Sequence, residues 1–163
     1  MKWLIIFLFL ISNGFPVKVN ADCWKSVSNS KVYESWRNSN DEKFLSVKGD
    51  FQGNGQMNFA RIEISCNAKN LALFAYTKNK SHKFNRHFLT YIPTDQLQAY
   101  GVRLKSSNIY NGACAKGYFE CEPKQESAKI EFDSIELFKY QGVKSIFYWD
   151  KITNKFMRLW TED

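Results

Sequence analysis

Alternation with a period of two constrains this chain more than any other feature. In "FARIEISC" (Phe59–Cys66), Ala60, Ile62, Ile64 and Cys66 fall on one side, and Arg61, Glu63 and Ser65 on the other. A β-strand sends successive side chains to opposite faces, so the pattern predicts a half-buried strand. "LALFAYT" (Leu71–Thr77) is apolar at both parities and predicts a central strand, with a hairpin turn at Asn67–Asn70. "FNRHFLTYI" (Phe84–Ile92) and "YGVRLK" (Tyr100–Lys105) predict two more strands. After a loop over 106–125, three closing strands are predicted: "KIEFDSIELFKY" (Lys129–Tyr140, with a break at Asp133-Ser134), "VKSIFYWD" (Val143–Asp150) and "KFMRLW" (Lys155–Trp160). The segment 22–43 is polar, and "SKVYESW" predicts two helical turns capped by Ser30. The fold class expected is mainly β: one antiparallel β domain over residues 22–163, a sheet or sandwich of about seven to eight strands, with a short N-terminal helical or irregular segment.

The first residues read as a signal peptide. Met1-Lys2 supplies a positive start, "WLIIFLFLI" an apolar run, and Val19-Asn20-Ala21 a small-residue cleavage site. The run is shorter than the roughly 20 apolar residues of a membrane span. Cleavage after Ala21, a periplasmic or secreted location and no membrane insertion are therefore expected.

An exported chain with four cysteines favours disulfides. The spacings C-x42-C, C-x47-C and C-x6-C fit no zinc pattern, and no C-x-x-C is present for a redox role. The short loop "CAKGYFEC" favours Cys114–Cys121, which leaves Cys23–Cys66. Lysine and arginine outnumber aspartate and glutamate 23 to 16, with Lys78, Lys80 and Lys83 the densest cluster. That balance leans weakly toward acidic partners. Nucleic acid is not an expected partner: the chain is exported, and only "KSHKFNRHF" interleaves bases with aromatics.

"KGDFQGNGQMNFA" (Lys48–Ala60) has the spacing of a calcium loop. With Asp50 at position 1, Gln52, Asn54, Gln56 and Asn58 fall at positions 3, 5, 7 and 9, and Gly55 at the turn position 6. Asp50 is the single carboxylate, and position 12 is Arg61, so any calcium site would be weak. The other reading is a turn in which Asp50 and Asn54 cap backbone amides while Gly53 and Gly55 supply positive φ. No other cofactor is suggested.

The stretch resembles the "DFNGDGKxD" loops of FG-GAP and VCBS-type β proteins. That resemblance implies a calcium role for Asp50, Gln52, Asn54 and Asn58. Taken with "ACAKGYFEC" and "SIFYWDKITNKFMRLWTED", the loop also resembles a group of small exported bacterial proteins. Those carry a GDF-x-GDG loop, a C-x-K-G-Y segment closed by a second cysteine, and a YYWD end. The resemblance covers most of the chain after the signal segment, supports the fold and brings no mechanism.

In the last hairpin, Phe156, Arg158 and Trp160 share one parity, and Met157 and Leu159 the other. Both strands are rich in large apolar groups. Either the sheet is covered on both sides, the expected case, or an aromatic-plus-arginine patch is exposed for a protein partner through Tyr148, Trp149, Arg158 and Trp160. Catalysis is not expected. His82 and His87 are five apart and fall on opposite faces, no hydrolase or nucleotide motif is present, and Glu131, Asp133 and Glu136 read as a solvated strand face. The function expected is a non-catalytic periplasmic protein-binding module, of the kind an inhibitor or immunity protein represents. The alternative is a calcium-dependent structural or adhesion module.

Overall fold

The computed structural model describes residues 23–117, 120–122 and 125–162. The expected signal segment, Tyr118 of "CAKGYFEC" and Asp163 of the C-terminal motif lie outside the described residues. Three strands in succession, β3 (Asn58–Ser65), β4 (Leu71–Lys78) and β5 (Phe84–Ile92), form a meander. β1 (Trp24–Ser26) and β2 (Ser46–Gly49) share the free edge of β3, pairing with its end and its start respectively. The second sheet takes the order β11-β10-β9-β6, from β6 (Tyr100–Lys105), β9 (Ser134–Lys139), β10 (Lys144–Asp150) and β11 (Lys155–Glu162). A ribbon of β7 (Asn108–Asn111) and β8 (Ser127–Ile130) stands apart. Every pairing is antiparallel.

The two sheets pack face to face. Ile62, Leu71, Leu73 and Ile92 of the first and Val102, Ile135, Leu137 and Phe147 of the second form one buried cluster. Each such side chain contributes about 1.5–3 kcal/mol by leaving water. The sheets meet on one side, where Val102 N–H donates to Phe44 O at 2.8 Å beside β2. On the other side, His87 of β5 meets Trp149 and Phe156 at ring separations of 5.6 and 5.5 Å.

The outer faces are treated differently. On the second sheet, Ala128 and Ile130 of the β7–β8 ribbon bury Ile146 and Leu159, while Trp36 and Phe44 pack on Phe138. On the first sheet, Phe84, Phe88 and Tyr91 remain 47, 51 and 62% exposed, and no described element packs over them.

Arg37, 1% exposed, ties the N-terminal segment to the β5–β6 connection. Its Nη1 donates to Lys43 O at 2.6 Å, and its Nη2 to Leu97 O at 2.6 Å and to Tyr100 O. Burial pulls its guanidinium down to about 10, which leaves it charged at neutral pH.

The mainly β, antiparallel class is as read from sequence, but the strands are more numerous, through short additional ones and the division of one long run. The polar start contains β1, because the Cys23–Cys66 disulfide fixes Cys23 beside β3 and Cys66 N–H donates to Cys23 O at 2.8 Å. The 106–125 loop contains β7. The run 129–140 is divided between two sheets, and the break at Asp133 has a cause: its Oδ2 accepts Asp50 N–H at 2.9 Å. The two helical turns expected over "SKVYESW" are 3-10 turns at Asn29–Lys31 and Ser35–Ser39, and Ser28 rather than Ser30 caps the first. Both disulfides, Cys23–Cys66 and Cys114–Cys121, are present. No helix among the described residues is long and apolar enough to cross a membrane.

Candidate functional site

The outer side of the first sheet is built by parity. Registers place Phe59, Arg61 and Glu63 of β3, Phe74, Tyr76 and Lys78 of β4, and Phe84, Arg86 and Phe88 of β5 on one surface. A β-bulge at Leu89, where Leu73 pairs with Thr90 and Phe74 with Phe88, keeps Tyr91 on that surface too. Guanidinium groups lie across the rings. Arg86 sits 3.6 Å over Phe74, Arg61 5.0 Å over Tyr76, and the Lys78 ammonium 5.7 Å over Phe84. Trp24 of β1 extends the surface, edge-on to Phe74 at 5.1 Å.

At the centre lies Glu63, 1% exposed. Its Oε1 accepts Arg61 Nε at 2.7 Å and the Tyr76 hydroxyl, and its Oε2 accepts Arg86 Nη2 at 2.8 Å. A buried carboxylate is tolerated only when charge and hydrogen bonds compensate its lost hydration. Here they also hold both guanidinium groups over the rings. Burial and the Glu63 hydrogen bond push the Tyr76 hydroxyl above its ordinary range. The expectation that Glu63 faces solvent is therefore corrected, since Arg86 reaches it from a strand 23 residues away.

Glu136 repeats the arrangement on the second sheet. It is 3% exposed and paired with Arg103 and Lys105. This corrects the reading of Glu131, Asp133 and Glu136 as one solvated face. Glu131 pairs weakly with exposed Lys151 at 3.8 Å, and Asp133 caps Asp50.

In the "GDFQGNGQMN" loop, Asp50 Oδ1 and Oδ2 accept the N–H groups of Asn54 and Gly55 at 3.1 and 2.7 Å. Asn54 Oδ1 accepts Gln56 N–H at 3.0 Å. Gly53 and Gly55 have φ of 64° and 74°, which side-chain-bearing residues rarely adopt. Asn58 is turned into the core, where its Oδ1 accepts Lys78 N–H at 2.9 Å. Asp50, the one carboxylate of the loop, thus spends part of its acceptor capacity on two N–H groups of its own turn. Among the described residues no group of three or more His, Cys, Asp or Glu side chains is placed to hold a metal ion. Gln52, Asn54 and Gln56 instead border a cleft of about 440 Å³ shared with Asn85, His87 and Trp149.

Trp149, Arg158 and Trp160 share the inner side of the second sheet, whereas Tyr148 points to the opposite side, opposite Met157. Trp160 is 39% exposed, and Tyr148 packs on the cluster beneath the ribbon. Adjacent strand residues cannot share a face, so the four do not form one patch.

His87 sits between the sheets, its Nε2 2.8 Å from Thr77 Oγ1. Burial lowers its pKa below the ordinary 6.5. The unfolded chain then binds a proton more readily than the folded one. Stability is expected to be constant above about pH 6.5 and to fall as pH drops from there through the lowered folded value. Urea unfolding from pH 8 to 5 checks this, and a His87→Gln variant should lose that part of the slope.

The outer face of the first sheet escaped sequence reasoning. Its signal was available in the interleaving of Phe84, Arg86 and Phe88, but not which side of the two-sided apolar β4 faces water. Comparison with known protein families, curated proteins and solved structures finds no match to this chain.

Proposed function

We propose that this chain is a non-catalytic binding module that acts by contact, and that its partner is an acidic protein surface docked on the outer side of the first sheet. The observation that carries this reading is the contrast between the two outer faces. The chain covers one with its own ribbon and aromatic turns, and leaves Phe84, Phe88 and Tyr91 exposed on the other. Contiguous exposed aromatics with arginines are what protein interfaces concentrate. Charge selects the partner's sign. Arg61 and Arg86 share a single carboxylate, Glu63, Lys78 stands over Phe84 on the same surface, and Lys80 and Lys83 follow in the adjoining turn.

Two disulfides suit an oxidising compartment, and with the apolar N-terminal run they support a periplasmic or secreted role. The concrete form we favour is an inhibitor or immunity protein seated on a secreted toxin or hydrolase. The test is capture from periplasmic extract, followed by calorimetry with the purified partner. Phe84→Glu with Phe88→Glu is expected to weaken binding about 100-fold, the scale of a lost hot spot, without lowering the unfolding midpoint. Unchanged affinity in that double variant would remove the proposal.

A further inference from the structure

Arg158 is the only one of the five arginines in the chain whose guanidinium neither pairs with a carboxylate nor sits in a cage of backbone carbonyls among the described residues. Arg61 and Arg86 share Glu63, Arg103 has Glu136, and Arg37 has its carbonyls. Arg158 has one neutral acceptor: Nε and Nη2 donate to Ser145 Oγ at 3.1 and 3.0 Å. A guanidinium carries five N–H groups, so most of its donor capacity is unspent. The group is also held in place, with its carbon 3.6 Å from the Trp160 ring centroid and 5.3 Å from that of Phe147.

This cation lines a pocket of about 180 Å³ between the sheets, on the β5–β11 side. Thr90, Tyr100 and Ser145 contribute hydroxyl-bearing walls, and Leu137 and Trp160 apolar ones. Burial pulls Arg158 below its ordinary range, as it must for a cation partly stripped of water without an anion beside it. A fixed planar fork in a partly dry pocket is the arrangement that takes a planar anion through two parallel N–H···O bonds. A phosphate is a poorer match, since no lysine lines the pocket to share its second charge.

We propose that this pocket is a carboxylate-binding site, in which Arg158 forms a bidentate ion pair with a carboxylate whose carbon chain lies against Trp160. The carboxylate comes either from a small free acid or from an acidic side chain of a bound polypeptide. The guanidinium lies on the inner side of the second sheet; Tyr91 of the outer face borders the pocket, but neither Phe84 nor Phe88 lines it, so Phe84→Glu with Phe88→Glu and Arg158→Gln test the two sites separately.

The experiment follows the Arg158 Nε–H and Trp160 indole N–H resonances of the intact oxidised protein in low-chloride buffer. Acetate, propionate and the blocked amino acid N-acetyl-glutamate amide are titrated separately. A saturable shift at both resonances is expected, weakened at least tenfold in Arg158→Gln. Ser145→Ala, which frees two further N–H groups, is expected to bind at least as tightly as the parent. Glutamate amide binding tenfold tighter than acetate assigns an acidic side chain as the natural source, and equal affinities assign a small free acid. Absence of a saturable shift at Arg158 in the wild-type protein up to about 100 mM of every probe would overturn the proposal, as would a shift that survives Arg158→Gln.

Discussion

Replacing Arg37 with methionine is expected to remove about 3–5 kcal/mol of folding stability, the cost of stripping a buried network of its central donor. The side chain is 1% exposed and makes no ion pair among the described residues, with Glu34 acting on it only at longer range; Lys43, Leu97 and Tyr100 converge on it through their carbonyl oxygens. Methionine preserves most of the volume, so the loss measures hydrogen bonding rather than a cavity. Lys43 O, Leu97 O and Tyr100 O would be left in the interior without this donor. Trp36, which carries Arg37 at 4.4 Å and stacks on Tyr140 at 5.1 Å, would lose its anchor to the second sheet. Lysine cannot span the same carbonyls with one ammonium, so Arg37→Lys is expected to recover only part of the loss. Urea unfolding measures both, and a methionine variant within about 1 kcal/mol of the parent would show that these contacts are incidental.

The second large effect falls on the Cys23–Cys66 disulfide. It closes a loop of sequence separation 43, and the chain-entropy model assigns such a cross-link about 4 kcal/mol. Cys114–Cys121, with a separation of 7, should be worth about 2.5 kcal/mol. Removing the first pair by Cys23→Ala with Cys66→Ala is therefore expected to destabilise the protein more than removing the second. A functional consequence follows from position. β1 has three residues and little else to hold it, and it carries Trp24 onto Phe74 at the edge of the exposed face. The first double variant should lose affinity for the partner as well as stability, whereas the second should lose stability alone. Equal losses in urea unfolding for the two pairs would contradict the argument from loop length.

Strand identity was legible wherever one period dominated. Phe84–Ile92 and Tyr100–Lys105 coincide with β5 and β6, because their flanking turns are polar and their pairing is local or unbroken. What could not be read were features decided by distant residues. The break at Asp133-Ser134 was legible, but its cause was not: Asp133 caps Asp50 N–H, 83 residues away. Glu63 and Glu136 look like surface acids until Arg86 and Arg103 arrive from neighbouring strands. The three-residue β1 exists through a disulfide partner 43 residues on. The candidate site was half legible in the same sense. Parity placed Arg158 and Trp160 together, and it also separates Tyr148 from Trp149. It gave no account of which sheet face the ribbon would cover, and that choice leaves Phe84, Phe88 and Tyr91 in water.

The proposed function places the partner on this face. Covalent side-chain footprinting of the free and partner-bound protein measures it directly, residue by residue. Labelling of Phe84, Phe88 and Tyr91 is expected to fall sharply in the complex, while Ile109 on the ribbon and Tyr33 in the N-terminal segment, 64 and 78% exposed, are labelled as before. Protection of the ribbon side with Phe84, Phe88 and Tyr91 still labelled would contradict it.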